Sequence, residues 1–141
     1  RIGQVAFEQE GDRIVLAVER QADGRLIGEV SLIWRSVESR QAELGYILHP
    51  DAQGQGFATE AAAAMLELGF ERAGIHRIYA RCDARNVASA RVMERLGMRR
   101  EAHFRQHALV KGRWDEEYVY ALLAQEWRTA ARGTSAAMAA S

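Results

Sequence analysis

The spacing of apolar residues changes several times along the chain, and each change predicts a new secondary-structure element. Apolar residues at helical spacing over residues 1–10 predict a short amphipathic helix, which Gly11 would end. Two β-rich runs follow at residues 14–18 and 26–33, and the Asp23-Gly24 pair between them is a strong hairpin signal. The chain is therefore predicted to open with a helix and two antiparallel strands.

A third strand and a long helix come next. Apolar positions alternate over residues 43–48, and a proline then ends the strand because it cannot donate a ladder hydrogen bond. A loop containing Gly54 and Gly56 leads into a helix that begins near residue 57 or 58 and that Gly74 ends. This junction of strand, loop and helix carries the most information about ligand binding.

The rest of the chain predicts one more strand, one more helix and a closing hairpin. The strand is expected over residues 77–82 and the helix over residues 88–96. The hairpin strands are expected over residues 104–110 and 118–123, on either side of Lys111-Gly112-Arg113. The element order α, β, β, β, α, β, α, β, β indicates an α/β fold.

Composition limits the classes of function. The 141 residues suffice for one domain, expected over residues 1–127, followed by a low-complexity tail over residues 128–141. Lys plus Arg and Asp plus Glu both number 19, so the chain lacks the positive charge that nonspecific nucleic-acid binding needs. Cys82 is the single cysteine, and no apolar run has the length of a bilayer span. We expect a cytoplasmic protein with no nucleic-acid partner and no membrane partner.

The glycine loop allows both a ligand-binding and a structural interpretation. A helix N-terminus gathers backbone N–H groups that lack partners, and its dipole favours a phosphate or pyrophosphate. The same glycines could simply make the turn. A P-loop is not matched, because Phe57 follows Gly56 where that motif has lysine. A dinucleotide fingerprint is matched poorly, because Thr59 stands in place of its third glycine.

Three motifs then occur in a fixed order. Residues 42–58 run Ala-Glu-Leu-Gly-Tyr-Ile-Leu-His-Pro-Asp-Ala-Gln-Gly-Gln-Gly-Phe-Ala, residues 86–89 are Asn-Val-Ala-Ser, and residues 110–114 are Val-Lys-Gly-Arg-Trp. Over residues 1–127 the chain resembles the GCN5-related N-acetyltransferase (GNAT) superfamily, and more narrowly its ribosomal-protein-alanine (RimJ/RimL-like) branch. Gln53 to Ala58 fit every position of the superfamily's acetyl-CoA loop.

The resemblance implies a fold and a cofactor site. The fold is a central mixed, mostly antiparallel sheet flanked by helices, which splays open between the strand ending at Leu48 and the strand ending near Cys82. Acetyl-CoA would lie in the split, with its pyrophosphate on the N–H groups of the glycine loop. The cofactor-binding residues that the resemblance implies are Ile47, Leu48, Gln53, Gly54, Gln55, Gly56, Phe57, Ala58, Thr59, Asn86 and Ser89.

The resemblance also implies an N-acetyltransferase that transfers the acetyl group directly to a primary amine. Glu43 is the candidate base and Ser89 the candidate donor to the leaving thiolate. Glu43 could instead be a strand residue paired with an arginine, and Asn86 and Ser89 could instead cap a helix. No metal site is expected, because the four histidines show no ligand spacing, and Cys82 is expected in the core rather than as a nucleophile.

Family members ordinarily begin with a further strand and helix, which have no counterpart before Arg1. The chain is therefore expected to be a piece of a longer product, or to pair its exposed sheet edge with a partner subunit as a homodimer. The resemblance favours a protein or peptide α-amine as acceptor, with aminoglycosides, polyamines and amino acids left open. Two other classes also stay open: a noncatalytic acyl-CoA-binding regulatory module and a nucleotide-binding domain.

Overall fold

The computed structural model describes residues 8–54 and 56–130, which form a six-stranded sheet with flanking helices. In chain order the elements are β1 (Arg13–Glu19), β2 (Leu26–Ser36), β3 (Gln41–Leu48), α1 (Phe57–Glu67), β4 (Arg77–Asp83), α2 (Val87–Arg95), β5 (Arg99–Val110) and β6 (Arg113–Leu123). A 3-10 turn at Pro50–Ala52 precedes α1, and a π-helical turn at Leu68–Arg72 extends it. Residues 124–130 are helical.

The sheet has the order β1-β2-β3-β4-β6-β5, with one parallel pair at its centre. β3 and β4 pair in parallel from Gln41 opposite Arg77 to Glu43 opposite Tyr79, and all other neighbouring strands pair antiparallel. Past these positions β3 continues to its end at Leu48 without pairing with β4. The sheet is therefore mixed, mostly antiparallel and splayed open at its centre, as predicted.

Helix α1 and the π-helical turn cover one face of the sheet. Leu66 and Phe70 pack there with Leu32 of β2 and Ile78 of β4, and all four side chains are at most 2% exposed. Burying each such side chain stabilises the fold by about 1.5–3 kcal/mol. A Cβ atom on Gly69 would lie 2.9 Å from the side chains of Ile78 and Leu32, so glycine allows the close approach.

The central elements lie close to their predicted positions, whereas the closing hairpin is longer than predicted. The strands expected over residues 104–110 and 118–123 begin at Arg99 and Arg113. Two register shifts in β5, between Arg100 and Ala102 and between Arg105 and Ala108, break the alternation of apolar and polar positions. The strand is therefore continuous in the structure although its sequence pattern is not.

The predicted helix over residues 1–10 lies mostly outside the described residues, which begin at Glu8. Its described part is wrong, because residues 8–10 form a bend and a turn. The Asp12 carboxylate accepts the backbone N–H groups of Glu8 and Gln9, both at 2.9 Å, and so fixes a non-helical conformation.

At the other end, the helix of residues 124–130 crosses the boundary that was predicted at residue 127. The ring of Trp127 stacks on Phe70 with centroids 5.9 Å apart, and its Nε1 donates to Glu71. Most of the predicted tail, residues 131–141, lies outside the described residues. Within the described part of the chain, none of the helices has the length and hydropathy that crossing a bilayer requires.

Candidate functional site

Two adjoining cavities lie where the sheet splays open. The first, of about 290 Å³, is lined by the end of β3, the glycine loop and the first turns of α2. The second, of about 240 Å³, follows the start of α1 and the side of α2. Leu48, Gly54, Ala58, Ala88 and Val92 line both cavities, so together they form one continuous cleft.

The start of α1 presents hydrogen-bond donors to this cleft. Gly56 is the N-cap residue, with φ of 82°, and no side chain caps the helix there. The first N–H groups of any helix have no carbonyl partner within it, and the helix dipole adds positive potential. The buried Thr59 hydroxyl also has no hydrogen-bond partner. A bound anion would give all of these groups a partner.

Two arginines on α2 line the second cavity. Arg91 and Arg95 are exposed on the side of the helix that faces the start of α1. Helix-surface arginines are common, but here they border the same space as the Thr59 hydroxyl. The cavity therefore combines neutral backbone donors with two flexible positive charges.

Helix α2 begins with a side-chain cap. The Asn86 side chain accepts the backbone N–H of Ser89 at 3.0 Å, so the capping role that the sequence allowed for these residues exists in the structure. Both residues also line the first cavity. The cap holds the first turn of α2 in place and leaves the Ser89 hydroxyl directed at other groups.

A hydrogen bond crosses the cleft from β3 to α2. The Tyr46 hydroxyl donates to Ser89 Oγ at 2.9 Å, and both residues line the first cavity. Burial raises the pKa of Tyr46, opposed by its hydrogen bond to Ser89 and assisted by Cys82. The sequence pattern places Tyr46 among the alternating apolar positions of its strand. It does not predict the contact with Ser89, because the two residues are far apart in the chain.

Glu43 is the last residue of β3 that pairs with β4, so it lies beside the split. Its carboxylate accepts from Arg35 Nε at 2.9 Å and from Arg81 Nε at 3.2 Å, and its side chain is 14% exposed. Its neighbours Ala42 and Leu44 face the core under α1, so Glu43 faces the other side of the sheet. The ion pairing that the sequence allowed is thus present, and the base role stays a prediction.

The structure brings almost all of the predicted cofactor residues together. Gln55 lies outside the described residues. Each of the other predicted residues lines one or both cavities: Ile47, Leu48, Gln53, Gly54, Gly56, Phe57, Ala58, Thr59, Asn86 and Ser89. Glu43 does not line either cavity. The predicted base therefore lies outside the two cavities, although alternation along β3 places it on the same face of the sheet as Ile47.

Cys82 occupies β4 across the split. It is partly buried and packs against the core, and burial together with nearby acidic groups raises its thiol pKa. A thiol that holds its proton is a poor nucleophile. These contacts agree with the core role that the sequence predicted.

A larger cavity of about 540 Å³ lies away from the split, between β1 and α1. Leu16, Val18, Phe57, Ala61 and Ala64 supply most of its apolar lining. Of the predicted site residues, Phe57 alone borders it. The donor groups described above lie in the smaller cavities, so size does not identify the site.

The closing hairpin brings together three side chains that sequence spacing did not connect. Donor atoms of His107, Asp115 and Glu117 lie within 4.8 Å of one another, close enough to hold a metal ion. Arg85 and Arg81 already lie 3.8 Å from Asp115 and 3.9 Å from Glu117, so the two carboxylates have cationic neighbours. Only the pairing of β5 with β6 reveals this group.

The splayed sheet, the glycine loop and the donor-lined cleft are the features that the resemblance to acetyltransferases implied. The chain belongs to the GNAT family, since the model of the acetyltransferase (GNAT) domain matches residues 2–99. The predicted superfamily is therefore confirmed.

Relatives within this family are known by several names. YnaD of Bacillus subtilis, an uncharacterized N-acetyltransferase, is 40% identical over 102 residues, which are 72% of this chain and 59% of YnaD. YdaF of the same organism, whose name proposes a ribosomal N-acetyltransferase, is 31% identical over 105 residues, 74% of this chain and 57% of YdaF. The matched region thus covers less than two thirds of the length of each of these relatives.

A solved structure shares the architecture. The dodecameric structure of spermidine N-acetyltransferase from Vibrio cholerae superposes with a TM-score of 0.74 and 28% sequence identity, over 82% of this chain and 67% of that chain. The overall architecture of this chain is therefore also found in that relative.

Proposed function

We propose that this chain is the catalytic domain of an acetyl-CoA-dependent N-acetyltransferase that acts on a primary amine by direct transfer. The observation that carries the proposal is the uncapped start of α1, whose backbone N–H groups border a cavity that Arg91 and Arg95 also line. The Thr59 hydroxyl in the same turn is enclosed by protein and has no partner. A buried polar group without a partner costs about 1–3 kcal/mol, so a ligand that supplies an acceptor there is favoured.

The residues around the split fit acetyl-CoA in their chemistry. The N–H groups of Phe57, Ala58 and Thr59 would bind the pyrophosphate, and Arg91 and Arg95 would add positive charge nearby. The backbone of β3 beyond Glu43 has no partner on its β4 side. The backbone groups of Ile47 face β2, where its carbonyl oxygen lies beside Gly28, so the backbone groups of Leu48 are the ones available to the amides of the pantetheine arm. Bound acetyl-CoA supplies an activated acetyl group as a thioester.

The chain's own groups would then manage the charges of the transfer. An amine attacks only after it has lost a proton, and we propose that Glu43 takes that proton directly or through a water. The new nitrogen–carbon bond replaces the carbon–sulfur bond, whose electron pair stays on sulfur, where Ser89 can donate a hydrogen bond. The nitrogen releases a second proton to water as the amide forms. A backbone N–H near Leu48 would stabilise the charge that develops on the carbonyl oxygen.

Ligand selectivity tests the proposal. Acetyl-CoA and CoA are expected to raise the midpoint of thermal unfolding by several degrees, because a ligand at about a hundredfold excess over Kd stabilises the folded state by about 2.7 kcal/mol. ATP and NAD, measured in parallel by thermal shift and calorimetry, are expected to have little effect. Preference for ATP or NAD would favour the nucleotide-binding alternative and contradict ours.

A matched pair of threonine variants locates the site. Thr59→Val removes the hydroxyl that lacks a partner and is expected to weaken acetyl-CoA binding about tenfold, the value of one hydrogen bond to a charged group. Thr129→Val makes the same change on the exposed helix of residues 124–130, where Thr129 bonds Gln125, and should leave affinity unchanged. Equal affinity in both variants would move the site elsewhere.

The acceptor is proposed to be a peptide or protein α-amine. The motif resemblance and the name of YdaF support this choice. The spermidine acetyltransferase of similar fold supports a polyamine as the alternative. Acetylation of a short peptide with a free N-terminus and of spermidine, followed by mass spectrometry, distinguishes the two acceptors.

The competing class is a noncatalytic acyl-CoA-binding regulatory module. Binding of acetyl-CoA without turnover of any amine would favour that class over an enzyme. We also propose a cytoplasmic location, because the sequence has one cysteine and so no internal disulfide, and self-association, which the dodecameric relative supports. Size-exclusion chromatography with light scattering measures the assembly directly.

A further inference from the structure

The hydrogen bond between Tyr46 and Ser89 joins two walls of the cleft. Tyr46 lies on the part of β3 that pairs with β2 but no longer with β4, and Ser89 lies in the first turn of α2. The bond is 2.9 Å long and partly buried. Both side chains line the same cavity as Ile47 and Leu48. The bond is therefore positioned between the two surfaces that would hold the reacting end of the cofactor.

The direction of this bond determines what Ser89 can do. A phenol is a stronger acid than an alcohol, so the Tyr46 hydroxyl donates and Ser89 Oγ accepts. Ser89 then keeps its own proton for a third group. Its backbone is held independently, because its N–H donates to the Asn86 side chain. With the oxygen and the backbone both held, the proton of Ser89 has few remaining directions.

We propose that Tyr46 is a positioning residue that orients the Ser89 hydroxyl so that its proton points into the cavity. There it donates a hydrogen bond to the sulfur on which negative charge develops. This inference rests on the proposed function, since it assigns a role within the same acetyl-CoA site. It adds a residue that the motif pattern did not identify and gives Ser89 a defined orientation.

The acidities of the groups limit this role to hydrogen bonding. A simple thiol has a pKa of about 8.5 and a phenol about 10, so a proton would move uphill from Tyr46 to the thiolate. Burial raises the pKa of Tyr46 further. Both hydroxyls therefore keep their protons, and the departing thiolate takes its proton from water after release.

The pKa of the bound CoA thiol tests the proposal without turnover. We would titrate saturated CoA complexes and follow the ultraviolet absorbance of the thiolate. In the unmodified protein a donor aimed at the sulfur should hold the thiol pKa about one to two pH units below that of free CoA, as expected for a hydrogen bond to a charged atom. Ser89→Ala should abolish this decrease.

The variants distinguish a role of Tyr46 in orienting the Ser89 hydroxyl from a purely structural role. Tyr46→Phe keeps the ring and is expected to remove most of the decrease, and the double variant should match Ser89→Ala alone because the residues act as one unit. Tyr79→Phe, which removes a phenol that does not line the cavity, is the matched control and should titrate like the unmodified protein. The affinity for CoA, measured by calorimetry, confirms saturation in each case.

Each outcome decides the inference. Equal thiol pKa values in the unmodified protein and Tyr46→Phe would overturn it while leaving the proposed function intact. Failure of CoA to bind the unmodified protein would overturn both. In turnover assays, Tyr46→Phe should lower kcat about tenfold with KM unchanged, whereas a change in KM alone would indicate a structural contact and contradict the proposal.

Discussion

Glu43 joins three strands at the point where the sheet begins to open. Arg35 comes from β2 and Arg81 from β4, and each donates to one oxygen of the carboxylate. The two arginines are about half exposed, with side-chain exposures of 45% and 51%, so water screens the pairs and each contributes about 1 kcal/mol or less. Each carboxylate oxygen keeps a lone pair beyond its bond to arginine, so Glu43 can accept a further hydrogen bond from substrate or water.

The glutamine variant separates these two roles. Glu43→Gln keeps the shape of the side chain but cannot take up a proton, so kcat is expected to fall by about 10²-fold or more. The Kd for acetyl-CoA should not change, because Glu43 does not line the cofactor cavities. Steady-state kinetics and calorimetry measure the two effects.

Glu117→Gln is the control for lost charge. Glu117 also lies near Arg81, at 3.9 Å, but has no proposed role in the chemistry, so its variant should retain kcat. If Glu43→Gln retained kcat and lost only thermal stability, Glu43 would be an ion-pair residue and the base would have to be sought elsewhere.

Residue roles divide according to the distance between partners in the sequence. The glycine loop and Ser89 were predictable because each sits in a contiguous motif. Two contacts of the site join distant parts of the chain: Tyr46 and Ser89 are separated by 43 positions, and Glu43 and Arg81 by 38 positions. No local sequence pattern contains both partners of either contact. His107 and Asp115 likewise meet only through strand pairing. Such contacts need the folded chain to become visible.

At the scale of elements, the shape of the split depends on how closely β2 approaches β3. Gly28 lies directly opposite Leu48 in the register of these strands. A Cβ atom on Gly28 would lie 2.2 Å from the carbonyl oxygen of Ile47, and backbone atoms cannot give way as a flexible side chain can. Because Gly28 has no side chain, the end of β3, which carries the proposed pantetheine contacts, can lie this close to β2.

Two glycine variants on the same strand pair test this dependence. Gly28→Ala should lower the free energy of unfolding by about 1–3 kcal/mol, as overpacking usually does, and should weaken CoA binding by displacing Ile47 and Leu48. Gly45→Ala is the comparison, because its Cβ would meet only the Ser31 hydroxyl at 3.2 Å. Denaturant unfolding and calorimetry give both quantities, and an equal effect of the two changes would contradict the argument.

The elements themselves were predictable wherever one face is buried and the alternation is unbroken. Strands β1, β3 and β4 satisfy this condition over most of their length. Strand β2 does not alternate, and it was predicted from its β-rich composition and the Asp23-Gly24 hairpin signal. The start of β5 does not, because its register shifts move side chains between faces. The place of the split, between β3 and β4, was predicted through family resemblance, since no local pattern specifies which strands meet across a helical connection.

At the scale of the whole molecule, the net charge is zero, but two aspartates paired with arginines and one buried tyrosine have strongly shifted pKa values. The Arg85 guanidinium and the Arg85 backbone N–H hold the pKa of Asp83 at about 2, below the usual 3.8. Arg20 does the same for Asp23, again to about 2. In the core, burial and the hydrogen bond to Glu94 raise the pKa of Tyr120 to about 12.

These shifts make stability depend on pH in opposite senses at low and at high pH. Asp83 and Asp23 bind protons more weakly in the folded than in the unfolded chain, so their contribution is complete above pH 3.8 and is lost as the pH falls towards about 2. Tyr120 behaves in the opposite sense. Its contribution is complete below pH 10.0 and is lost as the pH rises towards about 12, because the unfolded chain releases this proton first.

The alkaline limit should be unusually clear in this protein. Lys111 is the one lysine in the sequence and arginine does not titrate in this range, so tyrosines and Cys82 dominate any change above pH 10. Tyr120→Phe should lower stability below pH 10 through loss of the bond to Glu94, and should flatten the decline of stability between about pH 10 and 12, so that the two curves converge. Urea unfolding across that range measures the slope. A parallel curve in the variant would mean that another group, such as Cys82 or Tyr46, sets the alkaline limit.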